Sequence, residues 1–285
     1  MKPSRVLVVG ASCQVGHFLL PLLRDQGVEV HAVSRASRDG SDGVTWHRAE
    51  LPDRMPVLAG IDGIISCGPI DALATWLSRL DQRPAAGLVA TSSMSVSSKR
   101  GSVDDGERTL VERLVAGERG VRQACERLGM AWAVIRPTLI YGAGMDRSLS
   151  PIAQRAMRWR VFPLPRGTGL RQPVHAADVA EAAWRALRAR EAAGRVFELG
   201  GGERLAAAEM FSRLRDSLQC RTLGMPIGRI PLALLARLLP AARGPVSRLD
   251  RDLVADNSQV RGLLGLEPRG FALDASMWGR PGDRR

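Results

Sequence analysis

The 285-residue chain is poor in the residue types that build disulfide scaffolds, metal centres and membrane spans. Its four cysteines form no Cys-x-x-Cys pair and have no histidine at ligand spacing, which argues against a disulfide framework and against a zinc site. The first apolar run is four residues long, too short for a signal peptide, and residues 230–239 fall short of the ~20 residues of a membrane span. We expect a reduced, metal-free cytoplasmic protein without a transmembrane segment.

Lysine and aromatic residues are also scarce, and this changes the interpretation of the net charge of +12. Of 41 Lys and Arg residues only Lys2 and Lys99 are lysines, so 41 − 2 = 39 are arginines, and aromatics make up 4% of the chain. The arginines are spread out beside carboxylates, as in Glu107-Arg108, whereas nucleic-acid-binding proteins usually present a clustered basic face. The charge favours solvated ion pairs and no nucleic-acid partner, with a genuine anionic partner as the alternative.

What the sequence does contain is an ordinary globular composition, 45% hydrophobic and 25% charged, and a strand-helix-strand rhythm. The apolar patterns predict strands at residues 5–9, 28–34, 63–67, 87–91 and 131–136, with helices at 14–26 and 107–128. Repeated alternation of this kind implies parallel strands joined by right-handed crossovers. The sequence therefore predicts an α/β fold with a doubly wound, Rossmann-like parallel sheet.

The rhythm changes after Gly144. Helices are predicted at residues 149–159, 177–190 and 206–218, with one strand at 196–199 and a Pro- and Arg-rich segment at 225–246. We predict a Rossmann-like domain over residues 1–145, completed by about 174–195, and a smaller lobe over 146–285. The tail from about residue 275 is expected to be disordered.

A glycine-containing turn follows the first predicted strand and opens the first helix. The pattern Gly10-x-x-Cys13-x-x-Gly16 stands where dinucleotide-binding folds expose free N–H groups and the positive end of a helix dipole. Its second glycine is replaced by Cys13, and a tight turn without a ligand is the alternative interpretation. The candidate pyrophosphate ligands are Gly10, Ser12, Cys13, Gln14, Val15 and Gly16.

The end of the second strand bears on the choice of cofactor. NAD-binding folds carry an acidic residue there for the ribose 2′-hydroxyl, but this strand ends in Ser34, Arg35 and Arg38. A guanidinium binds a 2′-phosphate in a forked geometry, which favours NADP, with NAD still possible. The alternative is a pair of ordinary surface arginines.

These features, with Ser92-Ser93, the run from Ile135 to Gly142 and the run from Arg171 to Asp178, resemble the extended short-chain dehydrogenase/reductase superfamily, and most of all its NAD-dependent epimerase/dehydratase group. The resemblance implies that Glu50 and Leu51 lie beside the adenine and that Cys67-Gly68-Pro69 passes the ribose. It further implies that Ser93 contacts the reacting oxygen and that Arg171 holds a substrate anion, while His175 is structural. Other residues implied at the cofactor or substrate are Ser92, Pro137, Thr138 and Tyr141. The resemblance also implies that the domain of residues 1–145 binds NAD(P) and that the lobe of residues 146–285 binds the substrate.

The chain departs from this family at its Tyr-x-x-x-Lys motif. The only tyrosine is Tyr141 and both lysines lie upstream of it, so the motif is absent, and alignment on the turn at Gly129 places Leu114 and Glu118 at the two positions. Ser93 and Lys99 are the remaining catalytic candidates. Their alternatives are a hydroxyl that caps its own turn and a solvated lysine.

Three functions stay open at this level. The first is an NADP-dependent oxidoreductase or epimerase/dehydratase-like protein, monomeric or homodimeric, acting on a phosphorylated or nucleotide-linked carbonyl or hydroxy substrate. The second is a dinucleotide-binding sensor, assembly factor or scaffold without turnover. The third is a surface-associated or nucleic-acid-binding protein that uses the arginines.

Overall fold

A seven-stranded sheet, parallel at every pairing, forms the centre of the computed structural model, which describes residues 3–40, 43–102, 104–228 and 249–278. Its order is β11-β6-β5-β4-β1-β2-β3, so the direction of winding reverses beside β1, where open α/β sheets bind ligands. This confirms the predicted doubly wound fold. The seven strands are β1 (Arg5–Val9), β2 (Glu29–Ser34), β3 (Val44–Arg48), β4 (Gly63–Ser66), β5 (Gly87–Thr91), β6 (Ala131–Pro137) and β11 (Arg195–Leu199).

Eight α-helices of the described residues connect and cover the strands. The helices α1 and α6 lie together on one face of the sheet, while α2 and α4 pack together on the other. Short 3-10 helices occur at Arg190–Ala192 and Ala275–Trp278. The α-helices are α1 (Gln14–Asp25), α2 (Ile70–Ser78), α3 (Ser95–Ser98), α4 (Asp105–Leu128), α5 (Leu149–Trp159), α6 (Ala176–Arg188), α7 (Ala207–Asp216) and α8 (Ser258–Leu264).

The strands are apolar on both sides because both faces are covered. Along β1, Val6 and Val8 contribute to the core under α1 and α6, whereas Leu7 and Val9 contribute to the core under α2 and α4. Successive side chains of a strand point to opposite faces, so a continuous apolar run is the expected sequence of a strand buried in this way. This packing holds the glycine turn after Val9 on a rigid base.

A smaller lobe has its own apolar cluster, which includes Tyr141, Leu149, Phe162, Leu214 and Trp278. Its strands form three short two-stranded pairs: β7 (Ile140–Tyr141) with β10 (Val174–His175), β9 (Leu170–Arg171) with β12 (Leu205–Ala206), and β8 (Val161–Pro165) with β13 (Leu223–Ile227). Between β10 and β12 the chain returns to the main sheet as α6 and β11. The division of the chain at residue 145 stays a prediction.

The last described residues differ from the expected disordered tail. Trp278 is fully buried, its Nε1 donates a hydrogen bond to Ser217 Oγ at 2.9 Å, and its carbonyl accepts one from Gln154 Nε2 at 3.0 Å. The prediction was wrong for residues 275–278, because partners far away in the sequence hold this segment; residues 279–285 lie outside the described part. Residues 229–246 of the predicted Pro- and Arg-rich segment, which include 230–239, also lie outside the described part.

None of the described helices combines the length and the apolar character that crossing a membrane requires.

Candidate functional site

The glycine turn lies between β1 and α1, at the carboxyl edge of the sheet. Gly10 has φ of +72°, and a Cβ atom there would lie 2.9 Å from the Gly68 nitrogen and 3.0 Å from the Cys67 carbonyl carbon. A Cβ at Gly16 would lie 2.0 Å from the Ala11 carbonyl oxygen. Both glycines are therefore required by close backbone approach, which presses the turn against the segment that follows β4.

Cys13 is the N-cap residue of α1. Its backbone is extended, and its sulfur accepts a hydrogen bond from the Gly16 amide at 3.5 Å. The thiol thus occupies one of the positions at the helix terminus that attract anions. The Cys67 thiol donates a hydrogen bond to Cys13 and, with further bonds from the backbone, lowers the Cys13 pKa to about 6.

The side chain of Gln14 tests whether the turn fits a ligand. Its Oε1 atom is buried and has no hydrogen-bond partner among the described residues. Burying an unpartnered acceptor costs free energy, so each such atom in a native protein requires an explanation, and a bound donor is one of them. Together with the glycine cradle, this orphaned oxygen fits a bound dinucleotide.

A cavity of about 400 Å³, the outer cavity, lies between the turn and the residues around Trp46 of β3. Ser12 and Cys13 line it, and so does Arg38, whose guanidinium lies over the Trp46 ring at 5.1 Å from its centroid. Arg35 is exposed, and the Ser34 hydroxyl accepts a hydrogen bond from the Ala36 amide at 3.3 Å. Of the three residues predicted after the second strand, the structure brings only Arg38 into this cavity.

The predicted adenine contacts are only partly available. Glu50 pairs with Arg54, with 3.0 Å between Oε2 and Nη2, and the two residues form an isolated β-bridge. Leu51 packs against the core beside Gly68, where its Cδ1 lies 3.5 Å from the position of a Cβ on that glycine. The leucine is therefore an apolar wall of this region, whereas the Glu50 carboxylate is already paired. Pro69 is exposed.

A second cavity of about 400 Å³, the inner cavity, has Gln14 at the start of α1 in its wall. It brings together residues from distant parts of the sequence that were predicted separately. Asp146 and Arg147 also line it; the Asp146 carboxylate accepts hydrogen bonds from the amides of Ser148 and Leu149 at the start of α5. The predicted residues in its wall are Gln14, Ser93, Lys99, Pro137, Thr138 and Arg171.

Ser93 and Lys99 flank the short helix α3. The Ser93 oxygen accepts a hydrogen bond from the Ser95 amide at 3.1 Å, so it caps its turn and also lines the cavity. Lys99 forms an ion pair with Glu107, with 3.3 Å between Nζ and Oε1, and only 22% of its side chain is exposed. The alternative of a solvated lysine is wrong, because α4 places a carboxylate next to it.

Arg171 is buried, and its Nη1 donates hydrogen bonds to the carbonyls of Leu170 at 2.9 Å and Arg251 at 2.8 Å. The guanidinium is thereby held at the cavity wall. Pro137 and Thr138 line the same cavity, and their backbone groups already form hydrogen bonds. The Thr138 amide donates to the Leu199 carbonyl, and the Pro137 carbonyl accepts from the Met94 amide. A carbonyl oxygen has two lone pairs, so Pro137 retains capacity for one further donor.

Glu118, at the position that the resemblance assigns to the family lysine, is buried and is not among the residues that line the cavity. Its carboxylate accepts hydrogen bonds from Arg136 Nε at 2.9 Å and from Ser92 Oγ at 2.5 Å, and Arg136 Nη2 makes a second contact. Leu114 packs against the core. The Ser92 hydroxyl, predicted at the cofactor, is therefore committed to Glu118.

Tyr141 was predicted as a substrate contact, and the structure places it elsewhere. The side chain is fully buried, outside the residues that line the cavity, and its hydroxyl donates to the Gly270 carbonyl at 3.2 Å. Burial raises its pKa to about 12. His175 packs edge-on against it and accepts a hydrogen bond from the Ala177 amide as the N-cap of α6. Both residues are structural here.

Sequence reasoning missed several contributors to the site. Glu107, Trp46 and Asp146 act through partners that only the fold brings near them: Lys99, Arg38 and the amides of α5. Trp46 lies on β3, which was not predicted. A signal for Asp146 was present, since an acidic residue shortly before a helix is a common cap.

Comparison with known proteins agrees with this architecture. The model of the NAD dependent epimerase/dehydratase family matches residues 114–200, and no curated protein sequence matches the chain. Among solved structures, UDP-glucuronic acid 4-epimerase from Bacillus cereus in complex with NAD has a TM-score of 0.72 at 15% identity, with 97% of each chain covered.

Two further structures show the same similarity. MoeE5 in complex with UDP-glucuronic acid and NAD has a TM-score of 0.73 at 20% identity, covering 93% of this chain and 94% of that one. UDP-glucose 4-epimerase from Thermotoga maritima with UDP-glucose has a TM-score of 0.67 at 14% identity, with 93% of both chains covered. Identities this low bear on the fold alone. The predicted resemblance to the NAD-dependent epimerase/dehydratase family is thus confirmed by the family model over residues 114–200, and the solved structures confirm the fold over nearly the whole chain.

Proposed function

We propose that the chain binds a nicotinamide dinucleotide and acts as an oxidoreductase or epimerase/dehydratase on an anionic substrate with a hydroxyl or carbonyl group. One observation carries this proposal: the glycine turn opens, through the orphaned Gln14 oxygen, onto a cavity that holds Ser93, Lys99 and Arg171. The position at the carboxyl edge, beside the reversal of strand order, is where such sheets bind nucleotides.

The residues toward the dinucleotide follow the course of the sheet edge. The amides around Ser12 and Gln14 would bind the pyrophosphate, with Gly10, Cys13 and Gly16 shaping the turn. The Val15 amide, which donates to Cys13, would join them by exchanging that sulfur for a phosphate oxygen. Leu51, Cys67, Gly68 and Pro69 would border the adenosine, and Pro137 and Thr138 the nicotinamide. Gln14 Oε1 would accept a hydrogen bond from a ribose hydroxyl or the carboxamide. A bound nicotinamide supplies hydride transfer, and the protein supplies alignment.

NADP is proposed as the preferred cofactor because Arg38 stands beside the turn with its guanidinium held against Trp46. A charge-assisted hydrogen bond contributes roughly 1.5–3 kcal/mol, equivalent to about 10- to 100-fold in affinity. We expect NADPH to bind more tightly than NADH, and Arg38→Ala to remove that preference while NADH affinity stays the same. Arg48→Ala, an exposed arginine on β3, is the matched control. Equal affinities for the two cofactors in a fluorescence titration of the wild type would refute the preference.

An anionic substrate is proposed from the charges around the inner cavity. Arg171 and Arg147 both border it, and guanidinium groups bind phosphates and carboxylates in bidentate geometry. The structural neighbours named above bind UDP-sugars or UDP-glucuronic acid, which supports a nucleotide-linked substrate. Leu139 also lines the cavity and contributes an apolar side chain to the wall that such a substrate would contact.

Ser93 and Lys99 are the proposed chemical groups. The Ser95 amide donates to the Ser93 oxygen, and the Ser93 hydroxyl donates to Ser95 Oγ at 3.1 Å. The Ser93 oxygen keeps a lone pair, and its hydroxyl would rotate from Ser95 to donate to a substrate oxygen. Lys99, held by Glu107, would carry the proton exchanged at the cavity wall. We expect Ser93→Ala to lower turnover about 100-fold or more, with unchanged NADPH affinity, in an assay of reduced nicotinamide against UDP-sugars and phosphorylated hydroxy compounds. Ser97→Ala, an exposed serine of α3, is the control.

A second candidate function rests on Leu114 and Glu118. Neither side chain lines the cavity, so neither replaces the tyrosine and lysine that the resembled family uses. The chain would then bind the dinucleotide without turnover, as a sensor or scaffold. Saturable NADPH binding with no turnover on the whole substrate panel, in the wild type and in Ser93→Ala alike, would favour this function over the first.

A further inference from the structure

Two cysteines that lie far apart in the sequence meet at the glycine turn. Cys13 is the N-cap of α1, and Cys67 is the first residue after β4. The close contact of Gly10 with the backbone of Cys67 and Gly68 presses their two segments together. The Cys67 amide donates to the Val9 carbonyl at 2.8 Å and the Cys13 amide to the Gly10 carbonyl at 3.1 Å, so both cysteines are anchored to consecutive residues. Their side chains influence each other's titration.

The two thiols differ in chemical character. The hydrogen bond from Cys67 and those from the amides of Gly16 and Val15 lower the pKa of Cys13 to about 6, against the opposing effect of burial. The same contact raises the pKa of Cys67 well above its usual range, as do its burial and the charge on Cys13. The two shifts have opposite directions, so the pair favours a thiolate on Cys13 and a thiol on Cys67. Thiolates are the reactive form of cysteine.

The thiolate is also accessible. Cys13 lines the outer cavity of about 400 Å³, together with Ser12 and Arg38. A peroxide is small enough to enter such a space. Cys125, by contrast, is fully buried in the core under α4, and burial raises its pKa to about 12. Cys220 lies in the other lobe, just beyond α7.

We propose that Cys13 and Cys67 form a dithiol that peroxides oxidise to an intramolecular disulfide, with Cys13 as the attacked thiolate and Cys67 as the resolving thiol. In the first step the Cys13 sulfur attacks one peroxide oxygen. The S–O bond forms, the O–O bond breaks, and the departing oxygen takes up a proton as water, which leaves a sulfenic acid.

In the second step the Cys67 sulfur attacks Cys13 Sγ. The S–S bond forms, the S–O bond breaks, and the leaving hydroxide combines with the Cys67 proton as water. The pair loses two electrons and the peroxide gains them. Conversion of the Cys13 thiolate to a neutral sulfenic acid removes the charge that raised the pKa of Cys67, so the first step prepares the second. A soluble dithiol reverses the reaction by exchange.

The disulfide itself requires no cofactor, but one consequence rests on the proposed function. A pyrophosphate bound at the turn would cover Cys13 and compete with the thiolate for the end of α1. Dinucleotide should therefore slow every reaction of Cys13. If the disulfide forms and NADPH gives no protection, the dithiol stands and the proposed cofactor site fails.

The pH profile of alkylation is the first readout. With a pKa of about 6, the thiolate fraction of Cys13 rises only about twofold between pH 6 and pH 8. An ordinary thiol with a pKa of about 8.5 gains roughly 75-fold over the same range. We expect this flat profile for Cys13, measured by iodoacetamide labelling of the reduced folded protein and peptide mass spectrometry. A cysteine-containing peptide in solution is the reference, and a steep profile at Cys13 would overturn the proposal.

The cross-link is the second readout. After brief treatment of the wild type with hydrogen peroxide, we expect a disulfide-linked pair of peptides that contain Cys13 and Cys67, abolished by dithiothreitol. Cys67→Ser should instead accumulate a sulfenic acid at Cys13, trapped by dimedone, and Cys13→Ser should protect Cys67. Cys220→Ser is the control and should behave as the wild type. The absence of the linked peptides in the wild type, which needs no substitution, would also overturn the proposal.

Discussion

The buried ion pair between Glu118 and Arg136 provides a sharp test of how this chain differs from the proteins it resembles. The perturbation is Glu118→Leu, which keeps the size of the side chain on α4 but removes the carboxylate. Arg136 then loses two contacts and Ser92 loses the acceptor of its hydroxyl. The Arg136 guanidinium then keeps only the weaker attraction of Glu198, its neighbour on β11.

The expected cost follows from the burial of the two partners. Removal of one member of a buried pair costs about 3–5 kcal/mol, because the other charge stays desolvated. Glu118 has 10% of its side chain exposed, whereas Arg136 has 21%, so water compensates part of the loss. We expect Glu118→Leu to lower the free energy of unfolding by about 2–3 kcal/mol, which corresponds to a Tm about 4–9 °C lower.

Chemical and thermal denaturation followed by circular dichroism measure this change. Glu112→Leu, an exposed residue of the same helix, should stay within about 0.5 kcal/mol of the wild type. The double variant Glu118→Leu/Arg136→Met should recover most of the loss, since no unpaired charge remains. If Glu118→Leu matches Glu112→Leu, or if the double variant shows the sum of the two single losses, the structural assignment of Glu118 is refuted.

Three further predictions follow from single contacts. Tyr141→Phe removes the hydrogen bond to Gly270 and should cost about 1 kcal/mol in urea denaturation, while KM for any substrate stays constant. Trp278→Ala should cost about 3–5 kcal/mol in the same assay, against less than about 0.5 kcal/mol for Trp159→Ala, whose residue is 65% exposed. Gly16→Ala should weaken NADPH affinity at least about tenfold by displacing the turn, whereas Gly262→Ala, with open space around it, should leave affinity unchanged.

The parts of this molecule that local sequence determines were predictable. The apolar run of β1, the glycine turn and the amphipathic helix after it form one continuous signal, and the structure has all three at the predicted places. By contrast, β3 gave no such signal, because it is an edge strand with no fully buried residue. Helix α2 was also missed: it starts directly after the Cys67-Gly68-Pro69 turn and is apolar on most of its surface.

Contacts between distant residues were beyond prediction for a physical reason. The pairs Lys99–Glu107 and Glu118–Arg136 depend on how α4 lies against α3 and β6, and no local pattern encodes that placement. Residues around Trp278 resembled a polar tail because the side chains that bury it belong to α5 and the end of α7. The sequence identifies candidate residues by type and spacing, but only the folded chain shows which of them are in contact.

The most direct test of the central claim is a crystal structure of the reduced protein with NADP in excess. The account predicts a pyrophosphate bound by the amides of the turn between Gly10 and Gly16, and a ligand atom within hydrogen-bonding distance of Gln14 Oε1. A turn without ligand, with the Cys13 sulfur still bonded to the Gly16 amide and the Gln14 oxygen still unpartnered, would contradict it.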